Sequence, residues 1–84
     1  MLEIGFSNQA ERFLRKCSKD LAKRIVEKIK TLREKPVPHN SVSIAGESRM
    51  FRIRIGDYRV LYEVRWEERT ILISKIDHRK KVYD

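Results

Sequence analysis

The chain has 84 residues, enough for one small domain that buries roughly 60–65% of its unfolded surface and leaves no room for a second core. Twenty Lys and Arg against twelve Asp and Glu leave a formal charge of +8, the sign expected of a protein whose partner is a nucleic acid or another acidic surface. A single cysteine excludes an intramolecular disulfide, and no run approaches the ~18 apolar residues needed to span a bilayer or the charged-then-apolar pattern of a signal peptide, so a cytoplasmic protein is expected.

In chain order, Leu2-Glu3-Ile4-Gly5-Phe6 alternates well enough for a short strand. Ser7 or Asn8 can then cap a helix, Asn8 standing three residues before Glu11 in the capping-box spacing. Ala10, Phe13, Leu14 and Cys17 form one apolar stripe, which makes Cys17 an ordinary apolar-face thiol rather than a nucleophile. Ser18 can cap a second helix whose apolar positions Leu21, Ala22, Ile25, Ile29 and Leu32 recur until Lys35-Pro36. Lys19, Lys23, Lys30 and Arg33 on that helix serve solubility or supplementary phosphate contact. Residues 36–48, with two prolines and Gly46, show neither period and read as a loop.

From Arg49 onward three strands are expected. Phe51-Arg52-Ile53-Arg54-Ile55 and Tyr58-Arg59-Val60-Leu61-Tyr62 flank Gly56-Asp57, and a two-residue loop with Gly first is the signature of a type II′ hairpin. That turn pairs Ile55 with Tyr58, Arg54 with Arg59, Ile53 with Val60 and Arg52 with Leu61. Alternation then puts Phe51, Ile53, Ile55, Tyr58, Val60, Tyr62 and Val64 on a core face and gathers Arg52, Arg54 and Arg59 on the other. Arginines facing one another across strands are costly by roughly 0.2–1 kcal/mol, a cost that a bound polyanion relieves; the alternative is pairing with Glu63 and Glu47 nearby. After a turn at Trp66–Arg69, Ile71-Leu72-Ile73-Ser74-Lys75-Ile76 is nearly continuous in apolar residues and so reads as a central strand. The whole is an α+β fold over residues 1–84: an N-terminal strand, a two-helix hairpin, then a three-stranded antiparallel meander, with the helices on one side of the sheet.

Three segments resemble the RelE/ParE superfamily of toxins from type II toxin–antitoxin systems, and its RelE branch in particular. These are Ile44-Ala45-Gly46, the hairpin Phe51 to Tyr62, which is similar to the family's Y-[KR]-I-[KR]-x-G-x-Y-R-[VL]-[VIL]-Y, and Ile76-Asp77-His78-Arg79-Lys80-Lys81-Val82-Tyr83, which is similar to h-x-H-R-x-x-V-Y. The resemblance implies a RelE-like, microbial-ribonuclease-like fold and an endoribonuclease, or mRNA interferase, that cuts mRNA in the ribosomal A site without a metal or other cofactor, the RNA's own 2′-hydroxyl attacking the adjacent phosphate. It implies a RelB-like antitoxin as partner, with the ribosome and mRNA as targets. By the same resemblance Arg52 and Arg54 stand where the best-known members carry lysines, Arg59 contacts the scissile phosphate, Arg79 lies near the leaving group, and Tyr83 orients or stacks on a base. Lys80 and Lys81 are supplementary RNA contacts.

Two arginines in place of lysines leave the general base open, because a guanidinium with an ordinary pKa above 12 holds its proton at neutral pH. His78 and Tyr83 are the candidates to compensate. Cys17, His39 and His78 have no metal-ligand spacing. A ParE-like inhibitor of DNA gyrase, without RNA cleavage, is the alternative, since one scaffold serves both functions. A catalytically weakened RNA-binding protein is a third reading.

Overall fold

The computed structural model of the chain describes residues 1–44 and 49–78. Its elements run β1 (Glu3–Phe6), α1 (Asn8–Lys16), α2 (Lys19–Thr31), β2 (Val42–Ser43), β3 (Met50–Ile55), β4 (Tyr58–Arg65) and β5 (Thr70–His78). They build one five-stranded sheet in the order β1-β5-β4-β3-β2, antiparallel except for the parallel β1–β5 pair. The expected α+β architecture is therefore present, with β5 inside the sheet as its apolar run requires. Among the described residues no helix is long and apolar enough to cross a membrane.

Local chemistry accounts for the helix ends. Ser7, not Asn8, is the N-cap of α1, its hydroxyl accepting from the Ala10 N–H at 3.1 Å, and Ser18 caps α2 in the same way through the Leu21 N–H. The second helix stops at Thr31, short of the expected Lys35-Pro36 boundary. Its chain tightens there into i→i+3 bonds from the N–H groups of Leu32, Arg33 and Glu34 to the carbonyls of Ile29, Lys30 and Thr31, a 3₁₀-like ending that turns the chain before the proline.

The core lies between the sheet and the helices. Ile25, Ile29 and Leu32 of the α2 region and Ala10 of α1 meet Phe51, Ile53, Val60, Tyr62, Val64, Ile71, Ile73 and Ile76, nearly all fully buried. Tyr62 stacks on Phe51 with ring centroids 5.8 Å apart, and its hydroxyl donates to the Pro36 carbonyl at 2.8 Å. Burial pushes that phenol's pKa up to about 12, against a smaller opposing effect of the Ser41 side chain.

One irregularity organises the sheet. Leu61 pairs with Lys75 but Tyr62 pairs with Ile73, so Ser74 is an extra residue in β5. The bulge shifts the alternation by one, which puts Ile76 on the same face as Ile71 and Ile73 and turns Lys75 and Asp77 to the opposite face. Its backbone is clamped from the side. Beyond the end of β1, Ser7 Oγ donates to the Ser74 carbonyl at 2.8 Å, and the Gln9 amide donates to the Ile76 carbonyl (2.8 Å) while accepting from the Ile76 N–H (3.0 Å). The side chain of Gln9 thus satisfies the β5 edge where a neighbouring strand would otherwise run.

Candidate functional site

The hairpin has the register that its turn dictates: Ile55 opposite Tyr58, Arg54 opposite Arg59, Ile53 opposite Val60 and Arg52 opposite Leu61. Gly56 has φ of +61°, the left-handed conformation required at the first loop position of a type II′ turn, while Asp57 keeps a negative φ. Directly opposed residues share a face, so Arg52, Arg54 and Arg59 stand together on the side of the sheet away from the helices. Three arginine side chains thus share one face.

They differ in depth. Arg54 is exposed and Arg59 is half-buried, whereas Arg52 is only 8% exposed. Arg52 lies mid-sheet with Val42 of β2 on one flank and Leu61 of β4 on the other, which interrupts the buried-and-exposed alternation expected for β3. Its pKa lies below the ordinary arginine value, first because burial strips water from the cation and then because Arg59 and Arg54 repel it. Burial is thus the larger cause, and the neighbouring cations on the same face add to it.

Glu63, one of the carboxylates that sequence offered as a counter-ion, is engaged further along β4 by Arg65 (Nε to Oε1, 3.0 Å). The other, Glu47, lies outside the described residues, as do Ala45 and Gly46 and the four tail residues Arg79, Lys80, Lys81 and Tyr83. Asp77 is opposite Arg59 on β5, its Oδ1 accepting from the His78 N–H at 2.8 Å.

His78 is not brought to the arginine face. It is opposite Tyr58, on the core side of the sheet, and the two rings meet edge-on at 5.4 Å, with Phe13 of α1 meeting Tyr58 edge-on at 5.7 Å. The cause is the Ser74 bulge, which reverses the facing of every β5 residue after it. As a proton carrier for chemistry among the arginines, His78 is therefore on the wrong side of the sheet.

Loop 36–41 and β2 complete the surroundings. A cleft of about 280 Å³ is lined by Asn40, Val42, Arg52 and Arg54. Val42 and Ser43 lie in the stretch expected to be loop, and two residues are too few to carry a period; the pairing of Val42 with Arg52 and of Ser43 with Phe51 is what makes them a strand.

The family model described as "ParE toxin of type II toxin-antitoxin system, parDE" matches residues 4–83. The protein "Putative toxin RelE1" of Methanocaldococcus jannaschii is 39% identical over 64 residues, 73% of this chain and 71% of that one. The toxin in the crystal structure of the RelE–RelB complex from Pyrococcus horikoshii superposes with a TM-score of 0.83 at 28% identity, over 96% of this chain and 98% of its own. That of the RelBE2 toxin–antitoxin complex from Mycobacterium tuberculosis gives 0.79 at 29%, over 93% and 98%. The chain belongs to the RelE/ParE superfamily of toxins of type II toxin–antitoxin systems.

Proposed function

We propose that this toxin is a RelE-type endoribonuclease that cleaves mRNA on the ribosome, without a metal, by attack of a 2′-hydroxyl on the adjacent phosphate. The observation that supports this most is the Arg54–Arg59 cross-strand pair with Arg52 buried beside it, a concentration of positive charge on one open face. Cleavage by this route passes through a phosphorane with additional negative charge, and guanidinium groups bind its oxygens bidentately without surrendering their own protons. Arg54 and Arg59 are the groups proposed to touch the phosphate. Arg52 contributes positive potential from beneath.

The remaining proton transfers are assigned by family motif. Arg79 would serve near the departing 5′-oxygen and Tyr83 would orient or stack on a base, with Lys80 and Lys81 adding phosphate contacts. With His78 facing the helices, the 2′-hydroxyl proton must leave by another route, through the tail or a group of the RNA–ribosome assembly. The proposed inhibitor is a RelB-like antitoxin, in keeping with the RelB found with the Pyrococcus and Mycobacterium relatives. An acidic amphipathic chain could cover a cationic sheet face and apolar helix surface together.

Single-turnover cleavage on isolated programmed ribosomes tests the assignment. Arg59→Ala and Arg54→Gln are each expected to lower the rate at least ~10²-fold, the usual cost of deleting one donor to a developing oxyanion. Folding should survive in Arg54→Gln, since relieving the opposed charges stabilises by roughly 0.2–1 kcal/mol. Parental rates in both variants would overturn the arginine roles.

A second reading has one specific observation behind it: the matching family model is named for ParE. A gyrase supercoiling assay run beside a toeprint on translating mRNA separates the two. Inhibited gyrase with intact mRNA would reverse the proposal.

A further inference from the structure

The cleft beside the arginine face has the makings of a nucleobase site, and its position relative to the proposed phosphate contacts gives it a role. We propose that Asn40, with Val42, forms a base-reading subsite whose ligand is an adenine of the RNA strand held by the arginines. The inference rests on the RNA-binding reading of that face and adds a source of sequence preference to it.

Asn40 is held at a defined place, though it lies in a connecting segment. On one side the Tyr62 hydroxyl ties down the Pro36 carbonyl, and Ser41 closes a turn by donating to the Pro38 carbonyl from both its hydroxyl (2.7 Å) and its N–H (3.0 Å). On the other side Val42 and Ser43 are zipped to β3, followed by an Ile44 N–H bond to the Met50 carbonyl at 3.0 Å. Two anchors leave the intervening residue little freedom. The side chain of Asn40 is exposed and engages no hydrogen bond among the described residues, so its amide is available to a ligand.

Three chemistries meet in the cleft. Val42 is 46% exposed and, being opposite Arg52, stands on the arginine side of the sheet, where its methyl groups offer an apolar surface to the flat face of a base. Arg54, on the same wall, supplies the cation for the adjoining phosphate. Asn40 presents a donor and an acceptor side by side, the complement of the adenine edge with its N6 amino group and N7. Single-stranded RNA is read in this way, through unstacked bases whose edges are hydrogen-bonded while their phosphates bind cations. Size agrees as well: 280 Å³ is just below the usual range of small-ligand sites, room for one base rather than two. β2 is two strands from the Arg59-bearing β4, about 10 Å at the usual strand spacing, so the base read would belong to a nucleotide next to or one removed from the bound phosphate.

The experiment is equilibrium binding of the free toxin to non-cleavable 2′-deoxy tetranucleotides of uridine type in which one position at a time carries A, G or C, measured at two salt concentrations. At one position the parent should favour A by about 5- to 100-fold. Asn40→Ala should reduce that ratio to within about twofold and leave the salt dependence unchanged, as a base contact does. Arg54→Gln should leave the ratio and lower the slope of log K against log salt by about one, as a phosphate contact does. Equal binding of all bases by the parent, an adenine preference that survives Asn40→Ala, a guanine preference lost only in Arg54→Gln, or no binding of any oligonucleotide would each overturn the subsite. Cleavage on programmed ribosomes is scored separately. Asn40-dependent adenine binding with intact mRNA leaves the subsite standing and removes the ribonuclease proposal; cleavage without Asn40-dependent base preference does the reverse.

Discussion

Replacing Tyr62 by Phe is the most revealing single perturbation of the scaffold, because it removes one oxygen and keeps the stacked ring. The lost bond is the 2.8 Å contact from the phenol to the Pro36 carbonyl, made by a side chain with no exposed surface. Deleting such a donor costs about 1–2 kcal/mol, since the carbonyl loses its partner as well. For a domain of this size that is a fall in Tm of roughly 4–15 °C at neutral pH. The pH dependence is the sharper test. The folded-state pKa of Tyr62 is about 12, against an unfolded value near 10, so the neutral phenol is favoured by folding. Its contribution is complete below pH ~10 and is lost as pH rises towards 12, by about 2–3 kcal/mol in all. Tyr62→Phe has no such group. Urea unfolding of parent and variant from pH 8 to 12 should therefore show the parent more stable at the low end, with the difference shrinking and then vanishing or reversing by pH ~12. Every other group is common to both proteins, so the difference between them isolates Tyr62. A difference that stays constant across the range would refute the assignment of a buried, hydrogen-bonded phenol.

Two further outcomes follow from the geometry. Gln9→Ala should destabilise the domain by about 1–3 kcal/mol in denaturant unfolding, and hydrogen exchange should accelerate first at the Ile76 amide, because both bonds of the side-chain clamp on β5 are lost. Gly56→Ala should cost about 1–2 kcal/mol in thermal unfolding from the left-handed φ alone, and little more from crowding, since the added Cβ would meet Nη2 at the far end of the long Arg24 side chain, 3.1 Å away.

Much of the fold was legible because it is written in short-range chemistry. A two-residue Gly-Asp loop admits one pairing of its flanks, so the Arg54–Arg59 opposition follows from the sequence alone. Ser7 and Ser18 announced their helices, though the choice between Ser7 and Asn8 needed the observed bond to Ala10. The sheet-side grouping of Arg52, Arg54 and Arg59 followed from alternation alone, within the hairpin where alternation is unbroken.

What local pattern did not determine depends on residues distant in the chain. The spacing Ile71, Ile73, Ile76 holds a step of two and then a step of three, but only the pairing of β5 with β4 makes Ser74 a bulge and sends His78 to the helices, away from the arginines. Arg52 has the sequence context of a solvent-facing strand residue, yet Val42 and Leu61 flank it and it is buried. Val42 and Ser43 become a strand, and Asn40 a cleft residue, solely because β3 offers a free edge to pair with. Sequence thus determined the charge, the turns, the caps and the hairpin register, each set by a few consecutive residues. Tertiary structure decided depth and facing, because burial and side of sheet are properties of which strands meet.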